Sequence, residues 1–215
     1  MTTPAQSPPE LLTLHAVRLK GMADDEQIVA RFDLDPAIAH ECLLDFQAVG
    51  WITRVDFAGT AGWTLTESGR TENERRLAQE LASTDSTASV RHSYEVFLRH
   101  NGRLLHACTD WQLRPSKTDP LAVNDHTDST WDQSVLVTLS ELNDELGTLG
   151  PELGGRLARF DGYDERFSAA LERVERGELS WVTGIKIDSC HTVWMELHED
   201  LVATLGIKRG TEPAR

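Results

Sequence analysis

The sequence predicts a mostly helical protein with one small β-hairpin in its N-terminal part. Two observations indicate this fold class. Apolar residues recur at three- and four-residue spacing through most of the 215 residues, which is the spacing of helices that bury one face. Between residues 51 and 66 the pattern changes to β-branched and aromatic residues around a Gly-containing turn, which is typical of a hairpin.

Composition limits the classes of protein to which the chain can belong. Hydrophobic residues make up 40% and charged residues 26% of the chain, as in ordinary globular proteins. The net charge of −14 creates a field that repels polyanions, including nucleic acid and anionic membranes. Because no apolar run is long enough to span a bilayer and residues 1–10 do not have the pattern of a signal peptide, we expect a cytoplasmic protein without a membrane partner.

Three helices are predicted before the hairpin. Residues 1–9 are rich in Pro, Ser and Thr and are predicted to form a flexible tail. The first helix then ends at Gly21, and a second begins at Asp24, where acidic side chains face the exposed amides of the first turn. The third follows Asp35, a predicted N-cap, and Pro36, which needs no amide hydrogen bond at the first helical position.

The hairpin follows the third helix at once. Strands are predicted at residues 51–57 and 63–66, with the turn at residues 58–62. Thr66 is the predicted cap of a fourth helix. Helix, helix, turn, helix, hairpin and helix is the order of elements in a winged helix-turn-helix, so we assign residues 10–84 to one domain of this type.

Two stretches of this domain resemble a known family. LDPAIAHECLLDFQAVGWITR at residues 34–54 and GWTLTESGR at residues 62–70 resemble the region from recognition helix to wing in the MarR-like transcriptional regulators. The VGWI helix-to-strand junction and the LTESGR strand-to-helix junction carry the resemblance, which covers about residues 10–82. It implies a DNA-binding transcriptional regulator whose C-terminal helical domain forms a homodimer, binds a small effector, or does both.

The resemblance also implies which residues would meet DNA. The third helix would enter the major groove, while cations near the first helix and at the base of the wing would approach phosphate. The predicted DNA-binding residues are Pro36, Ala37, His40, Glu41, Leu44, Gln47, Arg54, Arg18 and Lys20.

The charge of this domain disfavours tight DNA binding. Residues 1–84 hold seven Lys and Arg against thirteen Asp and Glu, and the outward face of the third helix offers few hydrogen-bond donors. Because contacts to phosphate supply much of the affinity for DNA, weak or salt-sensitive binding is predicted. The alternative prediction is a module that keeps a winged-helix scaffold and binds protein, or senses a small molecule, without binding DNA.

The rest of the chain predicts a second, all-helical domain at residues 85–207, followed by a tail at residues 208–215. An irregular polar segment interrupts it at about residues 114–129. The predicted helices lie at about residues 90–98, 103–113, 131–146, 151–160, 163–177 and 189–205.

This second domain is the predicted place for a small effector. Sites for small molecules are commonly built from aromatic walls with a few polar anchors, and the domain offers both. The residues predicted to bind a ligand are Trp111, Gln112, Arg114, His126, Trp131 and Trp194. Ordinary core packing of the same aromatic residues is the alternative.

No motif in the sequence predicts an enzyme. GxSxG and the phosphate-binding glycine motifs are missing, so we predict no catalytic residue and no cofactor. Two clusters of titratable residues could form a site or could pack as core and solvated surface, and neither has the spacing of a metal motif. These clusters are His106, Cys108 and Asp110, and Cys190, His191 and His198.

Overall fold

The computed structural model describes residues 3–57 and 59–207, with the backbone alone for residues 57 and 60. The chain is mostly helical, as predicted, with one two-stranded antiparallel sheet. The elements are α1 (Pro9–Lys20), α2 (Asp25–Phe32), α3 (Pro36–Ala48), β1 (Ile52–Phe57), β2 (Thr60–Leu65), α4 (Glu67–Ser83), α5 (Thr87–Gln112), α6 (Ser129–Gly154), α7 (Tyr163–Glu175) and α8 (Cys190–Leu205). Short 3-10 helices lie at Ala158–Phe160 and Leu179–Trp181.

The described residues form two compact units. Unit 1 contains residues 3–57, 59–90, 155–159 and 199–207, and unit 2 contains residues 91–154 and 160–198. Unit 1 therefore includes three segments, 85–90, 155–159 and 199–207, from the part of the chain that we assigned to the second domain. The predictions for residues 1–2, for residue 58 and for the tail at 208–215 lie outside the described residues.

Unit 1 is built around α1, which packs against α2, α3, α4 and β2. Its buried stripe includes Leu14 and Val17, and these side chains share a core with Leu43 of α3 and Trp63 of β2. As predicted, α1 ends at Gly21, whose φ of 72° lies in the region that glycine adopts without steric cost.

Capping side chains fix the starts of α2 and α3. Asp24 and Gln27 form a reciprocal capping box at α2. Asp35 accepts the N–H groups of Ala37 and Ile38 at 2.9 and 3.1 Å, which confirms it as the N-cap of α3. The side chains that α3 buries are Ala39, Cys42, Leu43 and Phe46.

The hairpin turn is shorter than predicted. Residues 60–62, which we assigned to the turn, belong to β2. The structure requires a glycine at position 62 of β2, because the backbone of Ala23 passes close to it. A Cβ at this position would stand 2.9 Å from the carbonyl oxygen of Ala23. Ala23 and Trp63 exchange backbone hydrogen bonds of 3.2 and 2.7 Å, which tie the connection between α1 and α2 to the hairpin.

Residues 3–8, predicted as part of a flexible tail, make specific contacts in unit 1. Ala5 pairs with Leu157 in an isolated parallel bridge. Its N–H donates to the carbonyl of Arg156 at 3.1 Å, and its carbonyl accepts from Ala158 at 3.0 Å. Ser7 donates its hydroxyl to Glu80 of α4.

Unit 2 has fewer and longer helices than predicted. The two helices expected at residues 90–98 and 103–113 are one helix, α5, and Gly102 lies within it. The helix expected to end at residue 146 continues to Gly154, with Pro151 inside α6. Burial of apolar side chains outweighs the low helix propensity of Gly102 and Pro151. In α6 the buried stripe continues through Leu139, Leu142, Leu146, Leu149 and Leu153.

Among the described residues, none of the helices combines the length and the apolar character that crossing a lipid bilayer requires.

Candidate functional site

The outward face of α3 carries most of the predicted DNA-binding residues. Pro36, Ala37, His40, Glu41, Leu44 and Gln47 are all exposed on it. Apolar side chains form part of this surface, because Leu44 is 48% and Ile38 is 44% exposed. Asp45 is exposed between them on the helix surface. We call Ala37, Ile38, Glu41, Leu44 and Asp45 the α3 face.

Carboxylates dominate the charge of the α3 face and its surroundings. The segment from residue 33 to residue 50 contains no Lys and no Arg. The exposed acidic residues on the face, on α2 and in the connection between α2 and α3 are Asp24, Glu26, Asp33, Asp35, Glu41 and Asp45. A phosphate backbone placed here would meet like charge at close range.

The only imidazole on α3 is already paired. His40 Nδ1 lies 2.9 Å from Asp25 Oδ2, and the other oxygen of Asp25 accepts from Trp63 Nε1 at 2.7 Å. Although burial opposes its ionisation, these hydrogen bonds from His40 and Trp63 lower the pKa of Asp25. His40 therefore helps to fix α3 against α2 and β2.

The predicted phosphate-contacting cations lie in different environments. Arg54 on β1 is exposed, with its guanidinium carbon 5.6 Å from the centre of the Trp63 ring. Arg18 is buried and donates to Glu199 at 2.8 Å and to Glu74 at 2.9 Å, so it does not offer its charge to an external phosphate. Lys20 is half-buried at the end of α1.

Two of the predicted ligand-binding residues meet in unit 2. The rings of Trp111 and His126 have centroids 4.6 Å apart. His126 Nδ1 lies 3.0 Å from Asp132 on α6, and Trp111 donates its indole N–H to the carbonyl of Leu179 at 3.2 Å. The imidazole is about a quarter exposed, whereas the indole is buried.

Asn124 holds the irregular segment around this pair. Its amide nitrogen donates to the carbonyl of Trp111 at 3.1 Å and to Asp132 at 2.8 Å, and its amide oxygen accepts the N–H of His126 at 3.1 Å. In the sequence, the polar segment at residues 124–128 could form part of a site or could satisfy its own backbone through Asx turns, and the hydrogen bonds of Asn124 include one of this second kind.

The other predicted ligand-binding residues also use their polar atoms within unit 2. Trp131 donates to the carbonyl of Asp110 at 2.7 Å, and Arg114 donates to Asp128 at 2.6 Å. Gln112 is exposed at the end of α5. Trp194 belongs to a different cluster, where it stacks on Phe97 with centroids 4.7 Å apart. The structure therefore brings Trp111 and His126 together, whereas Trp194 belongs to the aromatic core.

The two clusters of titratable residues, one around Cys108 and one around Cys190, lack the features of a reactive centre. Burial raises the pKa of both the Cys108 and the Cys190 thiols to about 12, so neither is a ready thiolate. The His106 ring is exposed beside Asp110, and His198 stacks on Tyr94 and Phe97. The described residues contain no group of three His, Cys, Asp or Glu side chains arranged to hold a metal ion.

Unit 1 contains a buried ionic network that sequence reasoning missed. Arg159 donates to Glu80 at 2.8 Å, to Thr204 at 2.7 Å and to Asp200, and its own side chain is fully buried. Burial opposes ionisation of Asp200, but Arg159 and His15 hold the pKa of its carboxyl well below the usual range. These residues are far apart in the chain, and no local pattern pairs them.

The chain matches no protein-family model, no curated protein and no solved structure.

Proposed function

We propose that unit 1 is a winged helix-turn-helix that binds a protein partner through the α3 face. The observation that carries this proposal is the composition of that face, which combines exposed apolar side chains with carboxylates and contains no Lys or Arg. The order of α1, α2, α3, hairpin and α4, with the hairpin tied to the connection between α1 and α2, supports the winged-helix scaffold.

The α3 face favours a partner of opposite character. A basic helix with one apolar stripe would bury Leu44 and Ile38 while its Lys or Arg side chains approach Glu41 and Asp45. Burying one leucine side chain contributes about 1.5–3 kcal/mol, so apolar contact is expected to supply more affinity than the exposed charge pairs. The charges would mainly select the partner and raise its association rate.

DNA remains a second candidate because of two exposed side chains. Arg54 on the hairpin is exposed and would approach phosphate, and Glu41 could accept a hydrogen bond from the amino group of cytosine. In this case the chain would be a transcriptional regulator of the MarR-like type. Unit 2 would then provide dimerisation or effector binding.

Fluorescence anisotropy separates the two functions. The full chain is titrated against a labelled amphipathic Lys/Leu helical peptide, a shuffled peptide of the same composition, its own upstream DNA and random DNA, each at low and moderate salt. Protein docking predicts binding of the amphipathic peptide in preference to the shuffled one. Binding to upstream DNA in preference to random DNA would instead support the regulator, and binding to neither peptide nor DNA would contradict both functions.

Variants assign the binding to the α3 face. Leu44→Ser is expected to weaken peptide binding at least about tenfold, which corresponds to the lower end of the contribution of one buried leucine. Leu105→Ser on α5 is the matched control, because Leu105 is 43% exposed against 48% for Leu44. Equal affinity of the Leu44→Ser variant and the wild type would exclude the α3 face as the docking surface.

A further inference from the structure

Unit 1 contains a cavity that the proposed docking function does not use. Its volume is about 460 Å³, which lies within the range of small-molecule sites. One wall is formed by residues 5–11, and the other by residues 75–84 of α4. The cavity thus lies where the N-terminal segment passes over the second half of α4.

Specific contacts hold the N-terminal wall in place. Ala5 is fixed by its bridge to Leu157, and Ser7 donates to Glu80 on the opposite wall. Glu80 is itself held by Arg159, which donates to its second carboxylate oxygen at 2.8 Å. The charge of Glu80 is therefore compensated inside the protein.

The α4 wall offers a cationic group. Arg75 donates two hydrogen bonds of 2.8 Å to Glu72, and Arg76 donates one of 2.7 Å to the same carboxylate. Two guanidinium groups thus share one carboxylate and retain one positive charge. Hydrogen bonds from Arg75 and Arg76 also lower the pKa of Glu72 to about 2, so this arrangement is fully ionised at neutral pH.

Arg76 is the side chain of this group best placed to meet a ligand anion. Its hydrogen bond to Glu72 uses Nε, which leaves both terminal nitrogens without an acceptor among the described residues. The guanidinium carbon lies 5.0 Å from the centre of the Trp51 ring, and this contact limits its freedom. A fixed guanidinium whose two terminal nitrogens are free to donate is well suited to bind a carboxylate.

A negative charge lines the other wall of the same cavity. Glu10 lies in the first turn of α1, is exposed, and has no ion-pair or hydrogen-bond partner for its carboxylate among the described residues. Pro8 and Leu11 add apolar surface, whereas Gln6 and Gln79 add neutral hydrogen-bonding groups. The cavity therefore presents separate positive and negative groups to a common space.

We propose that this cavity binds a small zwitterionic molecule of the amino-acid or short-peptide class. Its carboxylate would bind Arg76, with Arg75 close by, and its ammonium group would bind Glu10. The net charge of the chain also favours this class, because a net charge of −14 repels simple anions, whereas a zwitterion has no net charge. The site does not depend on the α3 face.

Calorimetric titration of the full chain with dialanine tests this proposal. The two capped probes are N-acetyl-dialanine, which lacks the ammonium group, and dialanine amide, which lacks the carboxylate. Dialanine is expected to bind, and each capped probe is expected to bind about tenfold more weakly. No binding of dialanine, or equal binding of all three probes, would overturn the proposal.

Two substitutions test which residue binds each end of the ligand. Glu10→Gln should abolish the preference for dialanine over N-acetyl-dialanine, and Arg76→Gln should abolish its preference over dialanine amide. Arg173→Gln on α7, which removes an exposed ion pair in unit 2, is the control and should leave all three affinities unchanged. Glu10 is exposed, so its variant keeps the test valid if Arg76→Gln fails to fold. Unchanged preferences in Glu10→Gln would exclude this site.

Discussion

His15 Nε2 lies 3.0 Å from Asp200 Oδ1, and both side chains are fully inaccessible to solvent in unit 1. The other ring nitrogen of His15 lies 3.3 Å from the amide oxygen of Asn73. Asp200 Oδ1 thus contacts both His15 and Arg159, and its carboxylate is the centre of the buried network.

We expect Asp200→Asn to destabilise the protein strongly. The substitution keeps the size of the side chain but leaves Arg159 buried without the charge of Asp200. Breaking a buried ion pair by removing one partner costs about 3–5 kcal/mol. Urea denaturation followed by circular dichroism measures this loss.

Glu141→Gln is the control for this variant, because its pair with Arg103 is exposed and is expected to contribute at most about 1 kcal/mol. A loss in Asp200→Asn no larger than that in Glu141→Gln would show that the network does not stabilise the fold. Replacing Arg159 and Asp200 together by Met and Leu, with Glu80→Gln because Glu80 also pairs with Arg159, should restore part of the stability, since no carboxylate or guanidinium of these pairs then remains buried without its partner.

The same carboxylate predicts how stability depends on pH. The folded protein holds the pKa of Asp200 below its usual value of 3.8, so the unfolded chain takes up a proton first as the pH falls. The contribution of the Asp200 carboxylate to the free energy of unfolding is therefore fully present above about pH 4–5 and is lost progressively below that range. Urea midpoints measured from pH 7 down to pH 3 should fall more steeply for the wild type than for Asp200→Asn. Parallel pH profiles would contradict this assignment.

Asn124→Ala is expected to loosen the irregular segment between α5 and α6. The substitution removes the hydrogen bonds to Trp111 and Asp132 and the acceptor for the N–H of His126. Leaving such groups unsatisfied costs about 1–3 kcal/mol each where they are buried. Hydrogen–deuterium exchange should become faster across residues 113–128.

Amides of α1 and α3 serve as the internal reference for Asn124→Ala, because these helices belong to unit 1. Faster exchange in these helices as well would indicate global unfolding instead of a local opening. Unchanged exchange at 113–128 would mean that other contacts hold the segment.

The sequence predicted those parts of the fold that local chemistry determines. The ends of α1, α3 and α4 follow from Gly21, Asp35 and Thr66, whose effects act within a few residues. The continuity of α5 and α6 was missed, because Gly102 and Pro151 suggest breaks locally whereas burial of the apolar stripes favours continuation. Intrinsic helix propensity is a weak guide where tertiary packing decides.

The candidate sites were predicted less completely than the fold. Exposure of Ala37, Glu41, Leu44 and Asp45 follows from helical periodicity. The apolar spacing of α3 predicts a buried Ile38 instead, and this prediction is wrong because Ile38 is 44% exposed. The burial of Arg18 could not be predicted from the sequence, because its partner Glu199 lies on the last helix and no pattern links the two positions. The same holds for the cavity between residues 5–11 and α4, which depends on the bridge between Ala5 and Leu157.

We expect replacement of a helical glycine by alanine to have opposite effects on stability at two positions. A Cβ on Gly69 of α4 would stand 1.8 Å from the carbonyl oxygen of Trp51, so Gly69→Ala must move the backbone and should lower stability by more than about 2 kcal/mol. A Cβ on Gly102 of α5 meets nothing within 4 Å, so Gly102→Ala should raise stability by about 0.5–1 kcal/mol. Thermal denaturation of both variants under one set of conditions compares them directly. A stable Gly69→Ala variant would mean that α4 does not approach the start of β1 this closely.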